Sequence, residues 1–365
     1  MTKIDDVIKE LERLAPASLQ EKYDNSGLLV GSRNDEVKGI LVSLDTTEEV
    51  VQEAIDKKLN LIVSHHPIIF SGIKSLTGET YIERVLLKAI KNDIAIYAIH
   101  TNLDNVFAGV NGRIAEKLEL EKLSILSPKN NSILKLSVYV PTANLEDVKN
   151  ALFDAGAGNI GNYSNCSFYS NGKGSFKANE NANPFVGEIN EDHIEAESKL
   201  EVVLPSFKRS KILKALFAAH PYEEVAYDLY SLLNDDPSVG SGMIGYLKKE
   251  MDEKAFMKRL KKEMKTDCIR HSDLLNKKIH KVALCGGAGD FLLESAISQN
   301  ADVYISADFK YHRFFDAEKK IVIMDIGHYE SEQFTIDLLV DFLTEIFSTF
   351  AIRFTEVKTN PINYF

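Results

Sequence analysis

The pattern that most constrains the fold is an alternation of short β-branched runs with amphipathic helical segments, found towards both ends of the chain and missing from its middle. In the first block GILVSLD precedes a helix predicted over about 47–58, LNLIVSHHP follows, and a helix over about 81–92 leads into DIAIYAIHTNLD. In the second block KVALCGGAG, ADVYISAD and KIVIMDIG are predicted strands, with helical stretches at about 289–299, 310–319 and 329–347. Such alternation predicts α/β layers around a mainly parallel sheet, because parallel neighbours need crossover connections. Ahead of both blocks, Ile4, Val7, Ile8, Leu11 and Leu14 recur at helical spacing, and Pro16 stops that helix.

The middle has a different texture. LKLSVYVP is followed by a helix predicted over about 145–155 and a polar stretch, rich in Asn, Gly and Ser, from Gly156 to about Asn190. KLEVVLPS, a helix over about 209–219 and VAYDLY complete it. This order is that of a ferredoxin-like α+β unit. Residues 132–235 are therefore predicted to be an inserted domain between host segments 1–131 and 236–365. The turn-rich DDPSVGSG at 235–242 supports the downstream boundary, and 365 residues suffice for more than one core.

Three strand ends carry the chemistry. His65 and His66 follow LIVS and precede Pro67; His100 ends IYAIH, with Asp104 on the loop beyond; His328 and Glu332 lie four apart after Gly327. The carboxyl ends of parallel strands are where ligands bind in open α/β sheets. Residues at i and i+4 share a helix face, so imidazole and carboxylate can converge there on one centre. Taken singly, each residue has an ordinary structural explanation, and it is their coincidence at three strand ends that points to a mixed nitrogen and oxygen metal site. Five such ligands leave two ions with open positions, as a catalytic site requires.

Other polar residues have competing explanations. His100 suits either a role behind the ligands, including proton transfer, or a plain bond to backbone. Asp45 is predicted to be a helix N-cap, and Asp24 and Asn25 turn formers. Lys310, Tyr311 and His312 are positioned to contact an anionic substrate, although Phe309 and Phe314 suggest packing. His220, Glu223 and Glu224 around Pro221 fit a surface turn or a second ligand site.

With 54 acidic against 43 basic residues the net charge is −11, which opposes binding to a phosphate backbone and makes nucleic acid a poor partner. The three cysteines, Cys166, Cys268 and Cys285, lack zinc-finger spacing and suit a reducing cytoplasm. No apolar run approaches the roughly 20 residues a membrane span needs, and the acidic N-terminus does not resemble a signal peptide.

The motifs YDNSGLLVG (23–31), SLDTT (43–47), SHHP (64–67), HTNLD (100–104), ISADFKYH (305–312) and GHYESE (327–332) together resemble the Nif-three-like family. Its members are dinuclear-metal proteins described as GTP cyclohydrolase 1 type 2 homologues. The resemblance spans both host segments. It implies two α/β lobes with the metals in the cleft between them, and a PII-like identity for the insert, whose closing segment HPYEEVAYD (220–228) resembles. It further implies two divalent ions, zinc, manganese or iron, held by His65, His66, Asp104, His328 and Glu332, in a toroidal homohexamer. The implied activity is hydrolytic: water activated by the metals attacks guanine C8, formate is released, and His100 or Glu332 moves the proton. No P-loop or guanine-specific motif accompanies it, so the opposing expectation is a non-catalytic, metal-binding, ring-forming scaffold or regulator whose insert senses a ligand or partner.

Overall fold

The structure, a computed structural model, describes residues 1–364. The chain divides into two compact units: Met1–Pro128 together with the chain from Pro237 onward, and Lys129–Asp236.

The first segment of the larger unit opens with α1 (Ile4–Leu14), which buries Ile4, Val7, Ile8 and Leu11 along one stripe. Strands β1 (Gly27–Val30) and β2 (Gly39–Ser43) follow, then α2 (Glu48–Asp56) and β3 (Leu61–Ser64). Next come α3 (Tyr81–Lys91), β4 (Ala95–Ala98), the single turn α4 (Thr101–Asp104), α5 (Val110–Lys117) and β5 (Leu120–Pro128). Thr47 and Thr80 cap α2 and α3, each side chain accepting from the third backbone N–H beyond it. Every residue of β2, β3 and β4 is buried, as expected of parallel strands covered on both faces.

The smaller unit runs β6 (Ile133–Pro141), α6 (Leu145–Ala155), β7 (Phe168–Lys177), β8 (Asp192–Pro205), α7 (Arg209–Ala219) and β9 (Tyr227–Ser231). Its sheet is antiparallel in the order β7-β8-β6-β9, a split β-α-β arrangement. Leu136, Val138, Leu200 and Val202 on the strands pack against Val148, Leu152, Ile212 and Leu216 on the two helices.

The chain then returns to the larger unit through β10 (Gly240–Asp252), α8 (Glu253–Glu263), β11 (Arg270–His271) and β12 (Lys278–Ala288). It ends with α9 (Leu293–Ser298), β13 (Val303–Ala307), β14 (Val322–Asp325), α10 (His328–Glu332), α11 (Thr335–Ile346) and β15 (Ala351–Phe354). One sheet has the order β1-β4-β3-β2-β15, parallel except for β1. The other has the order β11-β14-β13-β12-β10-β5, parallel only across β12, β13 and β14.

Each sheet thus takes strands from both segments: β15 closes the first beside β2, and β5 edges the second beside β10. Periodicity did not predict β5, β10, β15, α5 or α8. Two helical expectations also change. The helix expected over 329–347 is broken into α10 and α11, and the stretch expected over 310–319 forms 3₁₀ turns at Tyr311–Ala317. Among the described residues no helix is long and apolar enough to cross a membrane.

Candidate metal centre

The strand ends bring six ionisable side chains into one cleft. His65 and His66 lie just beyond β3, His100 just beyond β4, Asp104 at the end of α4, and His328 and Glu332 on α10 after β14. Three groups, His65/His66/His100, His66/His328/Glu332 and His65/Asp104/Glu332, each have donor atoms within 4.8 Å of one another. Glu332 belongs to two of these groups, and its carboxylate is only 2% exposed.

Each imidazole is anchored through Nδ1 and has its Nε2 left for the cleft. His65 Nδ1 donates to the Ile99 carbonyl at 2.8 Å. His66 Nδ1 lies 2.7 Å from Asp45, His100 Nδ1 2.8 Å from Asp24 and His328 Nδ1 2.7 Å from Asp308. This carboxylate-behind-histidine arrangement fixes the tautomer that presents Nε2 as a ligand and raises its basicity.

At the centre, His66 Nε2 and His328 Nε2 lie 2.9 and 3.1 Å from Glu332 Oε2 and 3.3 Å from each other. His65 Nε2 is 3.6 Å from Asp104 Oδ1 and 3.8 Å from Glu332 Oε1. His65 Nε2 and Asp104 Oδ1 are buried and make no hydrogen bond. Orphaned buried donors and acceptors are costly, and these two, facing the second buried carboxylate, Glu332, form a cradle for a cation. The set of imidazoles and carboxylates, without thiolate, fits a divalent metal ion.

The electrostatics agree. Burial opposes ionisation of His66, but hydrogen bonds to Asp45 and Glu332 outweigh it and raise its pKa to about 10. For His328 burial is likewise outweighed, by the Glu332 charge and the Asp308 hydrogen bond, and the pKa rises to about 11. Burial and then the Glu332 charge push Asp104 well above the ordinary carboxylate range. Glu332, despite its burial, is held well below that range by His328, His65 and His66. Raised imidazole pKa values around a buried carboxylate mark a centre that attracts positive charge.

Several supporting residues escaped the sequence reading. Asp45 is not the cap of α2, which is Thr47; it binds His66 and also accepts from Thr359 Oγ1 at 2.6 Å. Asp24 does more than form a turn, since it holds His100 and receives the Thr101 backbone N–H at 3.0 Å. Asp308, at the end of the predicted strand ADVYISAD, binds His328 Nδ1. The shared signal was available: Asp45 and Asp308 stand just past β2 and β13, at the same edge as the histidines. Gly287 falls within the predicted strand KVALCGGAG, and a Cβ there would sit 2.4 Å from Glu332 Oε1, while its φ of +62° disfavours any other residue.

The cleft has a volume of about 920 Å³. Tyr23, Phe70, Ile73, Tyr81, Phe291 and Ile362 give it apolar walls around the polar centre. Lys310, Tyr311 and His312 are not among its lining residues, and Tyr311 is exposed. Phe309 beside them is 2% exposed and packs, with Phe314, into the core under the second sheet.

Comparison with known proteins places this geometry in a family. The model of the Duf34/NIF3 (NGG1p interacting factor 3) family matches residues 2–361. A Halalkalibacterium halodurans protein named GTP cyclohydrolase 1 type 2 homolog is 41% identical over 324 residues, covering 88% of this chain and 87% of that protein. A Bacillus subtilis protein of the same name is 39% identical over 325 residues, covering 88% and 87%. Among solved structures, a Bacillus cereus protein related to NIF3 aligns over 100% of this chain and 99% of its own, with a TM-score of 0.85 at 36% identity. The chain therefore belongs to the Duf34/NIF3 family.

Proposed function

We propose that the chain holds two divalent metal ions, zinc, manganese or iron, and acts as a hydrolase of the GTP cyclohydrolase type. The observation that carries the metal part is the pair of donor clusters, His66/His328/Glu332 and His65/Asp104/Glu332, joined by one buried carboxylate. When bound, the metals would supply Lewis acidity and lower the pKa of water towards neutrality. The protein's own groups do the rest. His65, His66, Asp104, His328 and Glu332 fix the donor geometry, while Asp45 and Asp308 hold two imidazoles in register. His100, anchored by Asp24 at the cleft wall, is placed to accept a proton at Nε2 and return it to the leaving group. The apolar walls offer aromatic faces to a flat ring such as guanine, and the names of the relatives support a guanine-nucleotide substrate, for which the reaction proposed is opening at C8 with loss of formate.

The resemblance also supports a PII-like identity for residues 132–235, a cytoplasmic location and assembly into a toroidal homohexamer, for which a native mass of six chains is the expected result.

One observation favours a second reading. Lys74 is the lone Lys or Arg among the described cleft-lining residues, against Glu21, Asp45, Glu83, Asp104 and Glu332, so a triphosphate gains little direct charge compensation. A metal-loaded ring without turnover, whose insert senses a ligand or partner, would need none. Loading the metal-free protein with zinc, manganese or ferrous iron and screening nucleotides for formate release separates the two. Turnover lost in His65→Ala and Glu332→Ala, with assembly intact, is expected of the enzyme. No turnover with any metal on a broad panel would favour the ring without catalysis.

A further inference from the structure

The smaller unit has a cavity of its own, of about 430 Å³, formed wholly within residues 139–226. Phe176, Phe185 and Tyr222 wall it, the Tyr222 ring centroid lying 6.2 Å from each of the two Phe centroids. Glu197 lines the cavity from β8 and is 9% exposed. Its Oε1 accepts from the Tyr222 hydroxyl at 3.0 Å. Its Oε2 rests against Gly174, where a Cβ would come within 2.0 Å, and receives no hydrogen bond among the described residues.

Nothing in the unit neutralises this carboxylate. No Lys or Arg is among the described lining residues, which include Glu223 and Glu224. His220, adjacent to Tyr222, is committed elsewhere: Nδ1 accepts from the Tyr222 N–H at 3.1 Å and Nε2 donates to the Tyr139 carbonyl at 2.9 Å. With both ring nitrogens occupied in the neutral tautomer, His220 is neither a counter-ion nor a free metal ligand. With one neutral donor on Oε1 and Oε2 unbonded in a cavity it lines, Glu197 has an acceptor position open to a cationic donor.

We propose that this cavity binds the protonated amine of a small organic ligand with an apolar stem, the ammonium donating to Glu197 Oε2 and the stem lying against Phe176, Phe185 and Tyr222. Three carboxylates exclude anions. A neutral ligand leaves Glu197 uncompensated, whereas an ammonium gains both the ion pair and the faces of the aromatic rings. A hard metal ion would find too few oxygen ligands, because Glu223 Oε1 already accepts from the Asn183 N–H at 2.7 Å and the wall is aromatic. The volume lies within the range of small-molecule sites.

Calorimetric titration of the full-length protein with benzylammonium, benzyl alcohol and phenylacetate tests the assignment. Benzylammonium is expected to saturate one site per chain, with benzyl alcohol and phenylacetate at least about tenfold weaker. Glu197→Gln and the exposed rim change Glu224→Lys are each expected to weaken benzylammonium about tenfold or more, and Phe176→Ala to do the same through the lost ring face. Equal binding of the alcohol and the ammonium would overturn the proposal. So would an absence of saturable binding up to roughly 10 mM, undiminished affinity in Glu197→Gln, or displacement of benzylammonium by an equal concentration of calcium.

Discussion

Each cleft histidine is tied back through Nδ1 to a carboxylate or carbonyl, so the residues behind the centre set its geometry as much as those facing it. Asp45→Asn and Asp308→Asn are each expected to lower metal affinity about 10- to 100-fold while leaving the fold intact, as read by competition with a chromophoric chelator. Gly287→Ala drives a methyl into Glu332 and holds a non-glycine residue at positive φ. It should cost about 1–3 kcal/mol in a melting experiment and lower metal content with it. Protonation gives a further check. In the metal-free chain His66 and His328 have pKa values raised from 6.5 to about 10 and about 11. The stability they contribute is complete below pH 6.5 and drains away as pH rises towards those values. The metal-free melting temperature should therefore fall between pH 6.5 and 9, whereas metal binding, which displaces those protons, should strengthen over the same range. The histidines and the candidate ligand carboxylates Asp104 and Glu332 were legible as residues at or just beyond strand ends. Asp45, Asp308 and Gly287 were not, because a cap, a loop acid and a strand glycine look the same in one dimension whether or not a histidine packs against them.

At the scale of elements, continuous apolar runs identified β2, β3, β4, β13 and β14, since strands buried on both faces carry their signal in composition alone. The edge strands β15 and β5 lack it, and so does β10, which lies between β12 and β5. β15 is largely exposed, and β5 and β10 mix buried with exposed positions along lengths that bend past register shifts. The expected long helix over 329–347 had the right apolar period, but the break at Gln333–Phe334 lets α10 deliver His328 and Glu332 to the cleft while α11 runs on separately. β15 and the segment after it matter to the site: β15 covers the edge of β2, and Thr359 bonds Asp45. Truncation after Phe347 is expected to lower the melting temperature by about 5 °C or more and to weaken metal retention, both measurable on the purified protein. An unchanged melt would mean that β2 needs no partner on that side.

At the scale of the whole molecule, the change of texture in the middle of the sequence corresponds to a unit with its own antiparallel sheet and core. Closure of the larger unit is built in without it, because Pro128 at the end of β5 pairs with Gly240 at the start of β10. Replacing 129–236 by a short turn is therefore expected to leave a folded protein with an unchanged metal count, and loss of the metals on excision would show the site to depend on the smaller unit. What the sequence could not display was the exchange of strands by which both sheets draw on both segments, since pairing over such separations leaves no local trace. That exchange is what sets three strand ends from the two segments around Glu332. The most direct test of the central claim is the number of zinc ions retained per chain after loading and exhaustive dialysis, in the native sequence and in Glu332→Ala. Two ions falling to none or one is the predicted result; less than one ion in the native chain, or a full complement in Glu332→Ala, would contradict it.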